Sequence, residues 1–154
     1  MKIRTFAFLL LFTMMSCDGT LADFKIISFP TSKKKLEIAI DSLYSNYPEY
    51  RMPEKWKEHD SWSKRGYDFL ESRIFYFKNE PEEMYYVTFV GEEETLKDTT
   101  HIDIAISSVY RRRTGNWNEE DFDKEEKIRI QTRFKREIIS KLEKYTKTKA
   151  KEEN

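Results

Sequence analysis

The densest chemistry-bearing cluster in the chain is Arg111-Arg112-Arg113, followed at a short distance by Trp117. Guanidinium groups bind phosphate or carboxylate through two parallel hydrogen bonds, so this cluster reads as an anion or partner patch. The bland alternative is a strand end whose alternate arginines pair with the acidic loop Glu92-Glu93-Glu94. Two histidine neighbourhoods follow, His59-Asp60 and His101-x-Asp103. Brought together in space, two His and two Asp would suit a zinc-like ion, but nothing in their spacing makes them converge. Ser61 and Ser63 lie beside His59 and Asp60, which supplies the residue types of a hydrolytic triad. A triad needs groups from separate segments, and sequence neighbours do not make one. Four glycines in 154 residues leave no nucleophile elbow and no phosphate-cradling loop. No catalytic residue, metal ligand or cofactor is therefore assigned.

The N-terminus carries a different kind of chemistry. Lys2 and Arg4 form a basic start, residues 6–15 are apolar except Thr13, and Ser16-Cys17 follows at once. A charged start, a short apolar stretch and a small residue make a secretory signal. The apolar run is half of what a membrane-spanning helix needs. Met14-Met15-Ser16-Cys17 resembles the lipobox of bacterial lipoproteins, with Ser16 fitting the small residue before the cysteine and Met14 and Met15 departing from the usual Leu and small residue. The resemblance covers only the N-terminus. It implies cleavage before Cys17, lipidation of Cys17, and a place in the bacterial cell envelope, the outer membrane favoured over the inner. The alternative is a secreted or periplasmic protein cut after Thr20-Leu21-Ala22.

Composition bounds the rest. Cys17 is the single cysteine, so no internal disulfide framework exists and the fold must hold by packing. Charged residues make up 36%, with 28 of each sign, which gives no global nucleic-acid signature. The balance is uneven along the chain: residues 18–110 hold 12 basic and 18 acidic residues, residues 111–154 hold 14 and 10. Aromatics reach 15%, far above what a disordered chain carries. Trp56, Trp62, Tyr67 and Phe69, then Phe75, Tyr76, Phe77, Tyr85, Tyr86 and Phe89, are dense enough to cover both faces of a sheet or to leave one for a partner.

The elements that must position these groups follow from periodicity. Residues 1–16 are the signal and 17–30 a lipidated tether with a candidate short strand. Residues 31–147 form one α+β domain, and 148–154 a frayed polar tail. Leu36, Ala39, Ile40, Leu43, Tyr44 and Tyr47 share one helical face, capped by Thr31 or Ser32 and stopped before Pro48. A short helix is expected over residues 54–59. Residues 73–78, 84–90 and the alternating Ile102, Ile104 and Ile106 read as strands of an antiparallel meander. Residues 111–117 read as an exit loop and Asn118 as the cap of a long C-terminal helix, whose stripe is Phe122, Ile130, Phe134, Ile138, Leu142 and Tyr145. The expected architecture is a three- to four-stranded antiparallel meander flanked by an N-terminal helix and a long C-terminal helix.

Three functions from different classes fit. The first is a lipid-anchored envelope module that binds a protein partner, without nucleic acid and without catalysis. The second is a small extracytoplasmic metal-dependent hydrolase using His59, Asp60, His101 and Asp103. The third is an inhibitor or immunity-type lipoprotein.

Overall fold

The structure, a computed structural model, describes residues 24–59 and 71–153, with His59 represented by its backbone. Cys17, Asp60, Ser61, Trp62, Ser63, Tyr67 and Phe69 lie outside the described residues.

The first helix forms where the apolar spacing demands it. Helix α1 (Lys33–Asn46) starts at Ser32, whose side chain accepts from the Lys35 N–H, and buries Leu36, Ala39, Ile40, Leu43 and Tyr44. It ends as the Tyr47 N–H bonds the Leu43 carbonyl at 2.7 Å, immediately before Pro48. Two 3-10 turns follow, Pro48–Tyr50 and Glu54–His59, the second on the residues expected to be a short helix.

Strands β1 (Ile27–Phe29), β2 (Ser72–Phe77), β3 (Glu83–Val90), β4 (Ile102–Arg113), β5 (Asn116–Glu119) and β6 (Lys151–Glu152) form one antiparallel sheet. Its order is β2-β3-β4-β1-β6, with β5 also paired to β4. The meander β2-β3-β4 is as expected, and the short strand before Pro30 is its neighbour. A one-turn helix, α2 (Glu93–Leu96), lies between β3 and β4.

Three expectations are corrected. Residues 111–117 are not an exit loop: β4 runs through Arg113 and turns at Thr114 and Gly115, both with positive φ (46° and 87°), into β5. Positive φ at both central residues matches the strand twist of a two-residue hairpin, and Gly115 supplies it without a Cβ clash. Asn118, paired with Arg111, is therefore a strand residue, and Asp123 caps the helix by accepting from the Glu126 N–H at 2.9 Å. The tail is not frayed, because Glu143 accepts from the Ala150 N–H at 3.0 Å and steers residues 151–152 into register with β1.

The C-terminal helix runs as α3 (Lys124–Phe134), a π turn (Lys135–Ile139) and α4 (Ser140–Thr146). The π turn inserts an extra residue in the winding. Ile138 and Ile139 are both buried as a result, although a regular 3.6-residue stripe leaves Ile139 on the flank. Helices α1 and α3–α4 contribute to one core with Phe75, Phe77, Tyr85, Ile102, Ile104 and Ile106. Among the described residues no helix is long and apolar enough to cross a membrane.

A bulge decides which side chains face that core. Tyr86 pairs with Ser108 but Val87 pairs with Ile106, so Ser107 is the extra residue of β4. Its hydroxyl donates to the Tyr86 carbonyl at 3.0 Å and accepts from Thr88 at 2.9 Å. Past the bulge the alternation shifts by one, so Val109 and Arg111, not Tyr110 and Arg112, continue the helix-facing row.

Ile104 is 1% exposed in the helix-covered core. Ile104→Ala is expected to cost about 2–5 kcal/mol through lost transfer energy and a cavity, measured by urea denaturation. An unchanged midpoint would mean that the register of β4 is wrong.

Candidate functional site

The bulge divides the arginine cluster. Arg111 turns towards the helices and meets Glu83, its direct cross-strand partner on β3. The Glu83 side chain is fully buried. One of its oxygens accepts from Arg111 Nη2 at 2.8 Å and from Arg129, and the other from Arg133 Nη1 at 3.2 Å and from the Tyr85 hydroxyl at 2.9 Å. Arg129 and Arg133 stand four apart on α3, on one side of the helix beside the buried Ile130 and Phe134. Arg133 also donates to the Pro81 and Asn79 carbonyls at 2.9 and 3.1 Å, which ties the β2–β3 turn to α3. Glu126 takes a second bond from Arg111 Nη2 at 2.6 Å and pairs with Arg129.

The electrostatics match this geometry. Burial first, then the Glu83 carboxylate, pushes the Tyr85 hydroxyl far above its ordinary range, so it donates and does not ionise. Hydrogen bonds from Arg111 and then Arg129 hold the Glu126 carboxyl below its ordinary value. A buried carboxylate surrounded by three guanidinium groups and a phenol holds strands and helix together and has no opening to a substrate proton. Sequence reasoning missed Glu83 because it sits in an acidic, turn-like stretch. The available signal was Arg129 and Arg133 flanking an apolar stripe.

Arg112 turns to the opposite face. Its guanidinium lies 4.2 Å from the Trp56 ring centre and bonds Glu82 at 3.2 Å. Tyr76 donates to the other Glu82 oxygen at 2.6 Å. Burial, then that carboxylate, raises the Tyr76 hydroxyl to about 12. Trp117, opposite Arg112 on β5, meets Trp56 edge-on at 5.7 Å and Tyr76 at 6.3 Å. Trp56, Tyr76, Met84, Tyr86 and Tyr110 are all buried in this second cluster. Among the described residues, the aromatic side chains of this face thus pack on one another.

What remains open is the tip of the β4–β5 hairpin. Arg113 keeps 62% of its side chain exposed while its Nε bonds Glu120 at 2.7 Å. Trp117 is half-buried, and its indole Nε1 is shielded from water without an acceptor. The four residues Arg111, Arg112, Arg113 and Trp117 therefore do not form one patch. Nor do the arginines pair with residues 92–94, since Glu82, Glu83, Glu120 and Glu126 take that role.

His101 Nδ1 lies 3.0 Å from Asp98, whose other oxygen accepts from the Thr100 amide and hydroxyl, both at 2.6 Å. Those Thr100 bonds, ahead of His101, lower the Asp98 carboxyl. Asp103 stands on β4 with one oxygen buried and unpartnered. Among the described residues no three His, Cys, Asp or Glu side chains gather as a metal set.

Compared with known proteins, the chain matches no family model, no curated protein and no solved structure.

Removing one partner from a buried ion pair strands the others. Glu83→Ala is expected to cost about 3–5 kcal/mol in denaturant unfolding, more than Arg113→Ala at the exposed tip. Acid should act through Glu126. Its native carboxyl titrates below the ordinary value of 4.5, so its contribution is complete above that value and is lost as pH falls. The urea midpoint should drop as the pH falls below about 4.5, and drop less in Glu126→Gln.

Proposed function

We propose that the chain is a lipid-anchored protein of the bacterial cell envelope that works by holding a protein partner at the β4–β5 hairpin. Support for the anchor comes from Cys17, the single cysteine, placed directly after the apolar leader. The observation that carries the binding reading is the open tip of the hairpin: Arg113 keeps 62% of its side chain exposed, and Asn116, its partner across the Thr114-Gly115 turn, is exposed with it. Arginine is one of the types that dominate binding hot spots. The Arg111–Glu83 network and the Arg112–Trp56 stack hold the hairpin's base rigid, which lowers the entropy lost on docking.

Two measurements test this reading. Mass spectrometry of the mature chain should find Cys17 at the N-terminus carrying acyl chains, and a start at Asp23 would overturn the anchor. A photo-cross-linker at Asn116 should trap a partner in intact cells that the same group at Ile38, on the exposed face of α1, does not. Arg113→Ala should then weaken capture by about 1–3 kcal/mol with the thermal midpoint kept. Equal cross-linking at Asn116 and Ile38 would end the hairpin reading.

A further inference from the structure

A groove of about 500 Å³ runs between the outer face of α3 and the β1–β6 edge of the sheet. That is the volume of a small-ligand site. Phe24, Phe122 and Ile128 supply its apolar surface, and Ile128 is 58% exposed on a folded helix. Lys124, Lys127 and Lys135 line it from the helix, and Lys25 from the strand side. Four lysines and one acidic side chain, Glu152, thus line the groove, and Glu152 is shared by Lys25 at 3.7 Å and Lys135 at 3.1 Å. An apolar residue flanked by lysines on one helix face is the pattern of a surface that lies in a membrane interface.

The groove therefore offers cations to an anion beside apolar surface for acyl chains, and a phospholipid with an anionic phosphate carries both features.

Chain length supplies the direction. Phe24, in the groove wall, is seven residues from Cys17, a reach of at most about 25 Å. A folded domain of this size is about 35 Å across, so an anchor at Cys17 presents the Phe24 side of the molecule to the bilayer. We propose that the α3–β1 groove docks on anionic phospholipid of the phosphatidylglycerol type, laying the outer face of α3 on the membrane. The proposal rests on the reading of Cys17 as the anchor.

The full chain tests it in isolated membranes, with a membrane-impermeant maleimide as the probe. With Cys17 acylated, Ile128→Cys and Ile38→Cys each carry one free thiol, on the groove and on the exposed face of α1. Each lysine near an anionic surface contributes about a fivefold preference, so Ile128→Cys should label at least about tenfold more slowly than Ile38→Cys. The difference should vanish in non-ionic detergent and in the Lys124→Glu, Lys127→Glu background. Equal rates in membranes overturn the proposal. So does protection that persists in detergent, which would mean that the chain's own residues 17–23 cover the groove. If the chain is absent from the membrane pellet, the anchor reading fails on its own, and docking is read on the released protein. Co-sedimentation with phosphatidylglycerol but not phosphatidylcholine vesicles then supports the groove, and co-sedimentation with neither or with both equally overturns it.

Discussion

The structure depends on one carboxylate kept out of water. Glu83 is fully buried and charged partners reach it from two elements, Arg111 on β4 and Arg129 and Arg133 on α3. An ion pair at that depth adds little net stability, because desolvation offsets much of the attraction. Its effect is on specificity. Sliding α3 by one residue along the sheet would pull both guanidinium groups from Glu83 and strand them in a low-dielectric setting. The register between helix and sheet is thereby set by polar geometry, which apolar packing alone would define less sharply.

The Ser107 bulge is what makes that arrangement reachable. It rotates β4 so that Arg111 faces the helices and Arg112 faces the aromatic cluster. Neighbouring arginines thus do opposite jobs. Arg111 neutralises a buried acid, Arg112 lies on an indole ring, and Arg113 is left at the surface. Among the described residues, side chains of both faces of the sheet are buried in two separate clusters as a consequence.

Local patterns were legible in the sequence and long-range ones were not. Helix α1, its Ser32 cap and its stop at Pro48 follow from apolar spacing and proline sterics. The three long strands follow from β-branched and aromatic runs. Strand β6 pairs two residues of a Lys- and Glu-rich segment with β1, more than 100 residues away, and no local pattern signals such a pairing. The Ser107 bulge is equally silent, because Ser107-Ser108 differs from regular alternation by a single insertion. That slip moved Arg111 from the expected surface patch to the interior. Glu83 was hidden for the same reason: burial of a charge is visible only once its partners are placed.

Strands β1 and β6 lie side by side and antiparallel, with Ile27 opposite Glu152. The chain therefore enters and leaves the sheet at one end, the end towards which β4 runs and where the Thr114-Gly115 turn stands. The turn region around α2 lies at the other end, between the end of β3 and the start of β4. A short peptide joining Phe24 to Glu153 would close the described backbone into a ring without disturbing a strand pair. New ends opened near α2 would then leave every ladder of the sheet intact. In that sense the order of the strands along the chain is incidental to the fold, and a circularly permuted version would present its hairpin free of both chain ends.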